Sequence, residues 1–231
     1  MQLKPRLEMI LRSVPKGSLV ADIGTDHAFL AIALRKTGTA KHVIACDINK
    51  GPLANAAENV NKTKTDGITL RLSDGLGNIK PNEVDVIVAA GMGGDVIASI
   101  ISRAEWLKDS AKTLILQPMS SADALHEYLY NNGFEIVREN AVFDSGRCYV
   151  VITAKYDGKK RKLGGAKLFI GELKPDDGEA EYDFARRQLE RVSACAESLK
   201  AVERKQKEYR KMLEATKELE RLLGNGDKQR Q

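Results

Sequence analysis

Leu19-Val20-Ala21-Asp22-Ile23-Gly24-Thr25-Asp26-His27 decides how this chain reads. The apolar run from Leu19 to Ile23, bounded by Gly24, has the length and punctuation of a buried strand. It turns polar at once, and a helix is expected from about His27 to Lys36. Upstream, Leu7, Ile10, Leu11 and Val14 mark one face of a helix from about Lys4 to Val14, which Pro15-Lys16-Gly17 ends.

Downstream the alternation repeats. His42 to Asp47 reads as a strand, and Gly51-Pro52 opens a helix through about Lys62, with Pro in the first turn where no helical N–H is lost. Ile68 to Ser73 alternates like a strand and stops at Asp74-Gly75. Val84 to Ala90 is continuous and apolar; Asp95 to Trp106 is helix-like. Thr113 to Leu116 is strand-like, and Ser120 to Asn131 is a helix closed by Asn132-Gly133. Phe134 to Phe143 and Cys148 to Tyr156 form a hairpin around Asp144-Ser145-Gly146. Strands alternating with helices make a parallel sheet covered on both faces. Five alternations and a closing hairpin give the element order of a class I methyltransferase rather than a plain dinucleotide-binding fold.

After Tyr156 the composition shifts. Lys159-Lys160-Arg161-Lys162 and Gly164-Gly165 read as a linker, and Leu163 to Leu173 as a short stretch packing back on the core. From Glu179 to Leu223 there is no Pro, Gly or Asn, so helix is expected throughout. Leu189, Val192, Ala196 and Leu199 form one apolar stripe, and Val202, Gln206, Tyr209, Leu213 and Thr216 another, out of phase with the first. That break is a stammer in one long helix or the turn of a hairpin. An antiparallel hairpin is favoured, because a lone helix would leave its stripe uncovered. Gly224-Asn225-Gly226 is expected to end the helix, with the last five residues frayed. The chain thus divides into residues 1–157 and a basic helical part, 158–231.

Composition sets the limits. The 231 residues are 42% apolar and 30% charged, which excludes a disordered or collagen-like chain. No apolar run reaches the roughly 18 residues that span a bilayer. Glu8 and Arg12 interrupt any signal-peptide core, and Cys46, Cys148 and Cys195 are too scattered for a metal site. They read as buried, reduced thiols of a cytosolic protein. Residues 1–154 hold 17 basic and 17 acidic side chains. The rest hold 20 and 15, so the net +5 lies entirely in the last third. A basic tail on a neutral body suits a polyanionic partner, nucleic acid first; a solvated helix surface gives the same pattern.

The strand ends carry the chemistry. Gly24 permits close backbone approach, and the helix start beyond it offers free N–H groups. The pattern is not G-x-G-x-x-G, which makes a dinucleotide pyrophosphate the poorer fit. Asp47 ends the second strand, at roughly the 20-residue distance that separates a glycine loop from a ribose-binding acid. It reads as that acid or as a helix cap. Asp74 is an acceptor for an exocyclic amine or a turn residue. Gly91-Met92-Gly93-Gly94 places three glycines in four residues at a strand end, more than a turn requires.

Taken in order, ADIGTDHAFL, ACDINKGPLANA, RLSDGL, IVAAGMGGDVI and LILQP resemble the bacterial tRNA (adenine(22)-N(1))-methyltransferase family, TrmK, over about residues 3 to 156. Phe29, Ala31 and Ser73 stand where that family usually has Tyr, Pro and Gly. The resemblance implies an α/β, Rossmann-like, seven-stranded mostly parallel sheet with a C-terminal α-helical, coiled-coil-like domain. It implies S-adenosyl-L-methionine as cofactor and N1 of adenine 22 in tRNA as target. By position it implies Asp22, Gly24 and Thr25 at the methionine end of the cofactor. Asp47 and Ile48 would hold ribose and adenine, Asp74 and Gly75 the adenine ring, and Gly91, Met92 and Gly93 complete the site. Asp26 and His27 lie at its mouth as catalytic candidates, Asp26 being equally a helix N-cap. Phe29 and Gly94 are candidates for contact with the base, which must leave its stack. Arg161 and Lys162, Arg186-Arg187, Arg204-Lys205 and Arg210-Lys211 are candidates for backbone phosphates. No metal and no membrane partner is expected, and a monomer is favoured over a dimer through the tail. The other readings are a small-molecule methyltransferase with an oligomerisation tail, or a non-catalytic RNA-binding protein.

Overall fold

The computed structural model describes residues 3–229. Helix and strand alternate as α1 (Pro5–Ser13), β1 (Ser18–Ile23), α2 (Phe29–Lys36), β2 (Ala40–Asp47), α3 (Lys50–Thr63), β3 (Ile68–Leu72), β4 (Val86–Gly93), α4 (Gly94–Ser102), β5 (Thr113–Ser120) and α5 (Ala122–Asn131). The hairpin β6 (Phe134–Asp144) and β7 (Arg147–Tyr156) follows. The seven strands lie in the order β3-β2-β1-β4-β5-β7-β6. β1 pairs in parallel with both β2 and β4, and β7 is antiparallel to both β5 and β6. The order reverses between β1 and β4, which opens a crevice at the carboxyl ends of those strands.

Both sheet faces are covered, as continuous apolar strands require. Ile10 of α1, Val14 just beyond it, and Leu30, Ile32 and Leu34 of α2 pack on Val20, Val43, Val86 and Val88. The opposite face buries Ile97, Ile100, Leu125 and Leu129 against Ile87, Leu114, Leu116 and Ile152. The chain beyond the sheet joins this second core. The short helix α6 (Lys167–Ile170) inserts Phe169 and Ile170, α7 (Glu179–Leu199) inserts Phe184, Ala185 and Val192, and α8 (Gln206–Gln229) inserts Ala215, Leu219 and Leu223. α7 and α8 are antiparallel partners, so each covers the other's apolar stripe. A buried polar tie fixes the connecting segment. His126 lies 3.0 Å from the Leu168 carbonyl through Nδ1 and 2.9 Å from Glu139 through Nε2. Glu139 in turn accepts the N–H of Glu172 at 3.0 Å.

Of the three cysteines expected to be buried, Cys46 is, but Cys148 is half-buried and Cys195, on the outer side of α7, is exposed. Several boundaries also differ from expectation. α2 starts at Phe29 rather than His27, because Ala28 takes a left-handed conformation with φ of 54°. Asn59 holds the turn by donating to the His27 carbonyl at 3.1 Å. α4 ends at Ser102, well before Trp106, which sits in a separate turn of 3₁₀ helix. Ser120 extends β5 instead of opening α5. α8 continues through Gly224-Asn225-Gly226 to Gln229. Glycine lowers helix propensity but, unlike proline, keeps the backbone donor. Of the five terminal residues expected to fray, 227–229 are helical and 230–231 lie outside the described residues.

Candidate active site

A cleft of about 650 Å³ opens at the crevice between β1 and β4. Its walls are the segment from Asp22 to Leu30, the β4 residues Ala90 and Gly91, and one side of α1 with its lead-in, Leu3, Lys4, Arg6 and Leu7. Of the expected site residues, it therefore gathers Asp22, Gly24, Thr25, Asp26, His27, Phe29 and Gly91.

The floor is built by backbone. Gly24 has φ of +76°, the left-handed region that favours glycine. Its N–H and that of Thr25 both donate to the Cys46 carbonyl, at 2.8 and 2.9 Å, so the loop folds over the end of β2. A Cβ on Gly24 would collide with the terminal methyl of Met92. Asp22 points from β1 into this floor and is buried, with the Thr25 hydroxyl donating to its Oδ2 at 2.9 Å. Burial pushes the Asp22 carboxyl up to about 6, against the lowering effect of the Thr25 bond. A buried carboxylate with one neutral donor is poised to take a cation.

The mouth is polar and aromatic. His27 Nε2 lies 3.2 Å from Asp26 Oδ2, both side chains open to solvent. The His27 and Phe29 rings stack with centroids 5.2 Å apart and planes 16° apart. Phe29 remains 40% exposed, an unusual state for a phenyl ring at the first position of a helix. Ala28, not Asp26, occupies the cap position of α2, and no side chain caps that helix. The helix-cap reading of Asp26 is therefore removed, which leaves its carboxylate free for other work.

Asp47, Ile48, Asp74 and Gly75 stand outside the cleft, at the ends of β2 and β3. Asp47 Oδ1 accepts the Asn49 N–H at 2.8 Å ahead of α3, a cap-like bond that engages one of its two oxygens. Ile48 is 60% exposed beside it. The Asp74 carboxylate is turned away: Arg103 grips it at 2.7 and 3.1 Å, and those bonds lower its pKa. It lines a separate groove with Lys80 and Trp106. The carboxylate expected at an adenine ring is here paired with Arg103. Ser73 explains the turn, donating to the Gly75 carbonyl at 2.8 Å and accepting from Asn78.

Within Gly91 to Gly94 the glycines divide. Gly91 faces the cleft with φ of +77°. Gly93 lies at the β4–α4 junction beside Ser120. Gly94 is buried, and a Cβ there would strike the Ser121 carbonyl, so close packing of α4 accounts for it instead of contact with a base.

The tail cations also divide. Arg161 is tied to Asp157, and Arg186 and Arg187 share Asp183. Those three, expected to meet phosphates, already have carboxylate partners. Lys162, Arg204, Lys205, Arg210 and Lys211 have no ion pair among the described residues.

Arg6 and Gln117 were not anticipated. Gln117 is fully buried, and its Oε1 accepts from Arg6 Nη1 at 3.1 Å and from the Gly91 N–H at 3.2 Å. One signal was available: a lone amide closing the apolar run Leu114-Ile115-Leu116. Among the described residues no group of three His, Cys, Asp or Glu is placed to hold a metal, and no helix is long and apolar enough to cross a membrane.

A family model described as a methyltransferase domain matches residues 3–152. A tRNA (adenine(22)-N(1))-methyltransferase of Bacillus subtilis is 34% identical over 174 residues, covering 75% of this chain and 73% of that protein. The solved structure of the B. subtilis m1A22 tRNA methyltransferase TrmK superposes with a TM-score of 0.84 at 27% identity, covering 96% of this chain and 99% of that one. A Streptococcus pneumoniae protein solved in complex with S-adenosyl-L-methionine gives 0.78 at 28% identity, covering 94% and 98%. With the sheet order, the cleft and these similarities in agreement, the chain belongs to the TrmK family of tRNA (adenine(22)-N(1))-methyltransferases.

Proposed function

We propose that the cleft between α1 and the β1–α2 loop is where this tRNA (adenine-N1)-methyltransferase brings its target base to the methyl donor. The observation that carries the reading is the placement of Asp26, His27 and Phe29 at the mouth of a cleft floored by buried Asp22. S-Adenosyl-L-methionine, when bound, supplies a methyl group on a positively charged sulfur. The donor set at the strand ends suits it. Asp22 offers a buried carboxylate to a cationic head group, and Gly24 allows backbone to approach closely. Asp47 keeps one oxygen for a ribose hydroxyl, and exposed Ile48 offers an apolar face to a purine.

Adenine N1 attacks with an in-plane lone pair, so the ring must be held edge-on to the methyl group. Much of the rate then comes from positioning. Phe29, stacked on His27, offers a platform for the displaced ring. Methylation makes the ring cationic. The Asp26 carboxylate, steered by His27, would stabilise that charge and take up a proton from N6.

The helical tail serves as the arm that docks the tRNA. α7 flanks the catalytic rim, where Phe184, Gln188 and Arg191 line a groove with Pro118 to Asp123, and Arg191 lies 3.3 Å from Asp123. No residue from 197 to 214 is buried, which leaves the free cations at the hairpin tip open to phosphates. The hairpin also supports a monomer, since α8 already covers the stripe that self-association would bury. Action on tRNA supports a cytoplasmic location.

The test is direct. The purified chain, given S-adenosyl-L-methionine and tRNA lacking the modification, should yield 1-methyladenosine on nucleoside mass spectrometry, mapped to position 22 by fragment sequencing. Methylation of another base, or of a small metabolite alone, would reject the proposal.

A further inference from the structure

We propose that Arg6 is a positioning residue for methyl transfer, acting through Gln117 to fix the Gly91 bulge that forms part of the cleft floor. The inference rests on reading that cleft as the catalytic site.

The β4–β5 ladder is where the need arises. Ala90 pairs with Gln117 and Met92 with Pro118, and the register shifts between them. Gly91 is the inserted residue, in a left-handed conformation with φ of +77°. A bulged residue drops out of the ladder, so its N–H needs another acceptor. Gln117 Oε1 is that acceptor at 3.2 Å. The Gln117 amide is fully buried, and its Nε2 donates to the Pro118 carbonyl at 2.9 Å, which sets which end faces Gly91.

Arg6 completes the arrangement from α1. Its Nη1 donates to the same Gln117 oxygen at 3.1 Å, while its Nε lies 3.3 Å from Asp144 Oδ2 on β6. Asp144 is buried and is oriented by the Ser145 hydroxyl, which donates to its other oxygen at 2.8 Å. The guanidinium also lies over the Tyr149 ring, 5.8 Å from its centroid. α1, β4, β5 and β6 therefore converge on one backbone N–H. The planar fork of arginine donates to Gln117 on β5 and ion-pairs with Asp144 on β6 at once, which the single ammonium of lysine cannot reproduce. Asp144 matches the charge of Arg6 inside the protein, which favours positioning over capture of a substrate phosphate.

In-line methyl transfer is sensitive to small displacements, and a shift of about 1 Å can reduce the rate about 100-fold. The test uses the full chain with Arg6→Met, Arg6→Lys, Gln117→Leu and the double variant Arg6→Met/Gln117→Leu. We expect kcat to fall about 30- to 100-fold in each single variant, with the tRNA KM and cofactor Kd within about threefold of wild type. The double variant should be no slower than Gln117→Leu, because the two residues act in series. Hydrogen exchange in the free protein should show the Gly91 amide losing protection while Val88, in the middle of β4, keeps it.

Wild-type kcat in Arg6→Lys would overturn the inference. So would a tRNA KM raised more than about tenfold at unchanged kcat, which makes Arg6 a direct substrate contact. Multiplying losses in the double variant, or a Gly91 amide still protected in Arg6→Lys and Gln117→Leu, would overturn it as well. If Arg6→Met fails to fold, the other two single variants carry the same readings. The exchange measurement needs no turnover. A wild-type chain that methylates no tRNA would defeat the proposed function, while loss of Gly91 protection in the variants would still support the structural relay.

Discussion

The Thr25 hydroxyl donates to the buried Asp22 carboxylate at 2.9 Å, and that single neutral bond is the only side-chain hydrogen bond the carboxylate receives among the described residues. The carboxyl is accordingly displaced from 3.8 to about 6 by burial. A raised carboxyl favours the protonated form in the folded chain. The native state then binds more protons than the unfolded chain between about pH 4 and 6, so stability falls as pH rises through that window.

Asp22→Asn should therefore stabilise the cofactor-free protein at pH 7.5 by about 2–3 kcal/mol, the linkage equivalent of the shift. The gain should vanish below about pH 4, where the wild-type carboxyl is already neutral. Urea titrations of both proteins at two pH values check this. The same variant should lose cofactor binding. In the wild type, cofactor affinity should weaken as pH falls through about 6, because proton and cationic head group compete for one carboxylate. Destabilisation of Asp22→Asn at pH 7.5 would contradict the account.

Asp26→Ala should separate chemistry from binding. The side chain is exposed and, among the described residues, pairs only with His27, so its loss should leave thermal stability nearly unchanged. We expect kcat to fall about 100- to 10,000-fold, the usual contribution of a positioned acid–base group, with cofactor affinity kept. Single-turnover rates and calorimetric titration provide the two readings. An unaltered single-turnover rate would take Asp26 out of the mechanism.

Phe29→Ala should act on the base. Stacking on an aromatic ring is worth about 1–3 kcal/mol, so the tRNA KM should rise about 5- to 150-fold. Phe29→Tyr should retain the platform and stay close to wild type. Steady-state kinetics on the three proteins decide this, and equal KM values for Ala and Phe would move the base elsewhere in the cleft.

What could be read from the sequence follows a physical division. The order of elements along the chain and the tail hairpin were legible because apolar periodicity and the phase break between Leu199 and Val202 are local signals. Gly24 and Gly91 were legible because only glycine takes a left-handed turn without strain. The positions of Asp74 and Gly94 are ambiguous signals, since an acid at a strand end serves Arg103 as readily as a ligand, and a glycine serves close packing as readily as a base. The left-handed Ala28, which delays α2 and frees Asp26, breaks a propensity rule at the site itself. Arg6 and Gln117 are 111 residues apart, and their pairing depends on a topology that no local pattern encodes.

The tail offers the last prediction, and it turns on which cations are free. Phosphate contacts make affinity fall with salt, with a log–log slope of roughly 0.9 per phosphate neutralised on duplex nucleic acid. Arg204→Ala, Lys205→Ala, Arg210→Ala and Lys211→Ala remove cations without ion pairs among the described residues, in a stretch of the hairpin where nothing is buried. Each residue that meets a phosphate should lower the slope by about 1 and weaken binding to every tRNA alike. Arg186→Ala and Arg187→Ala remove cations that share Asp183, Arg186 also pairing with Glu190, and Arg187 has no other ion-pair partner among the described residues. Arg187→Ala should thus leave the slope nearly unchanged, and Arg186→Ala should alter it less than Arg204→Ala. Fluorescence titrations of labelled tRNA at four salt concentrations measure these slopes, with kcat at saturating tRNA as the control. Equal slopes for all variants would leave the tail without a phosphate contact at these positions, and a slope lowered most by Arg187→Ala would place the docking surface at the root of α7 instead of its tip.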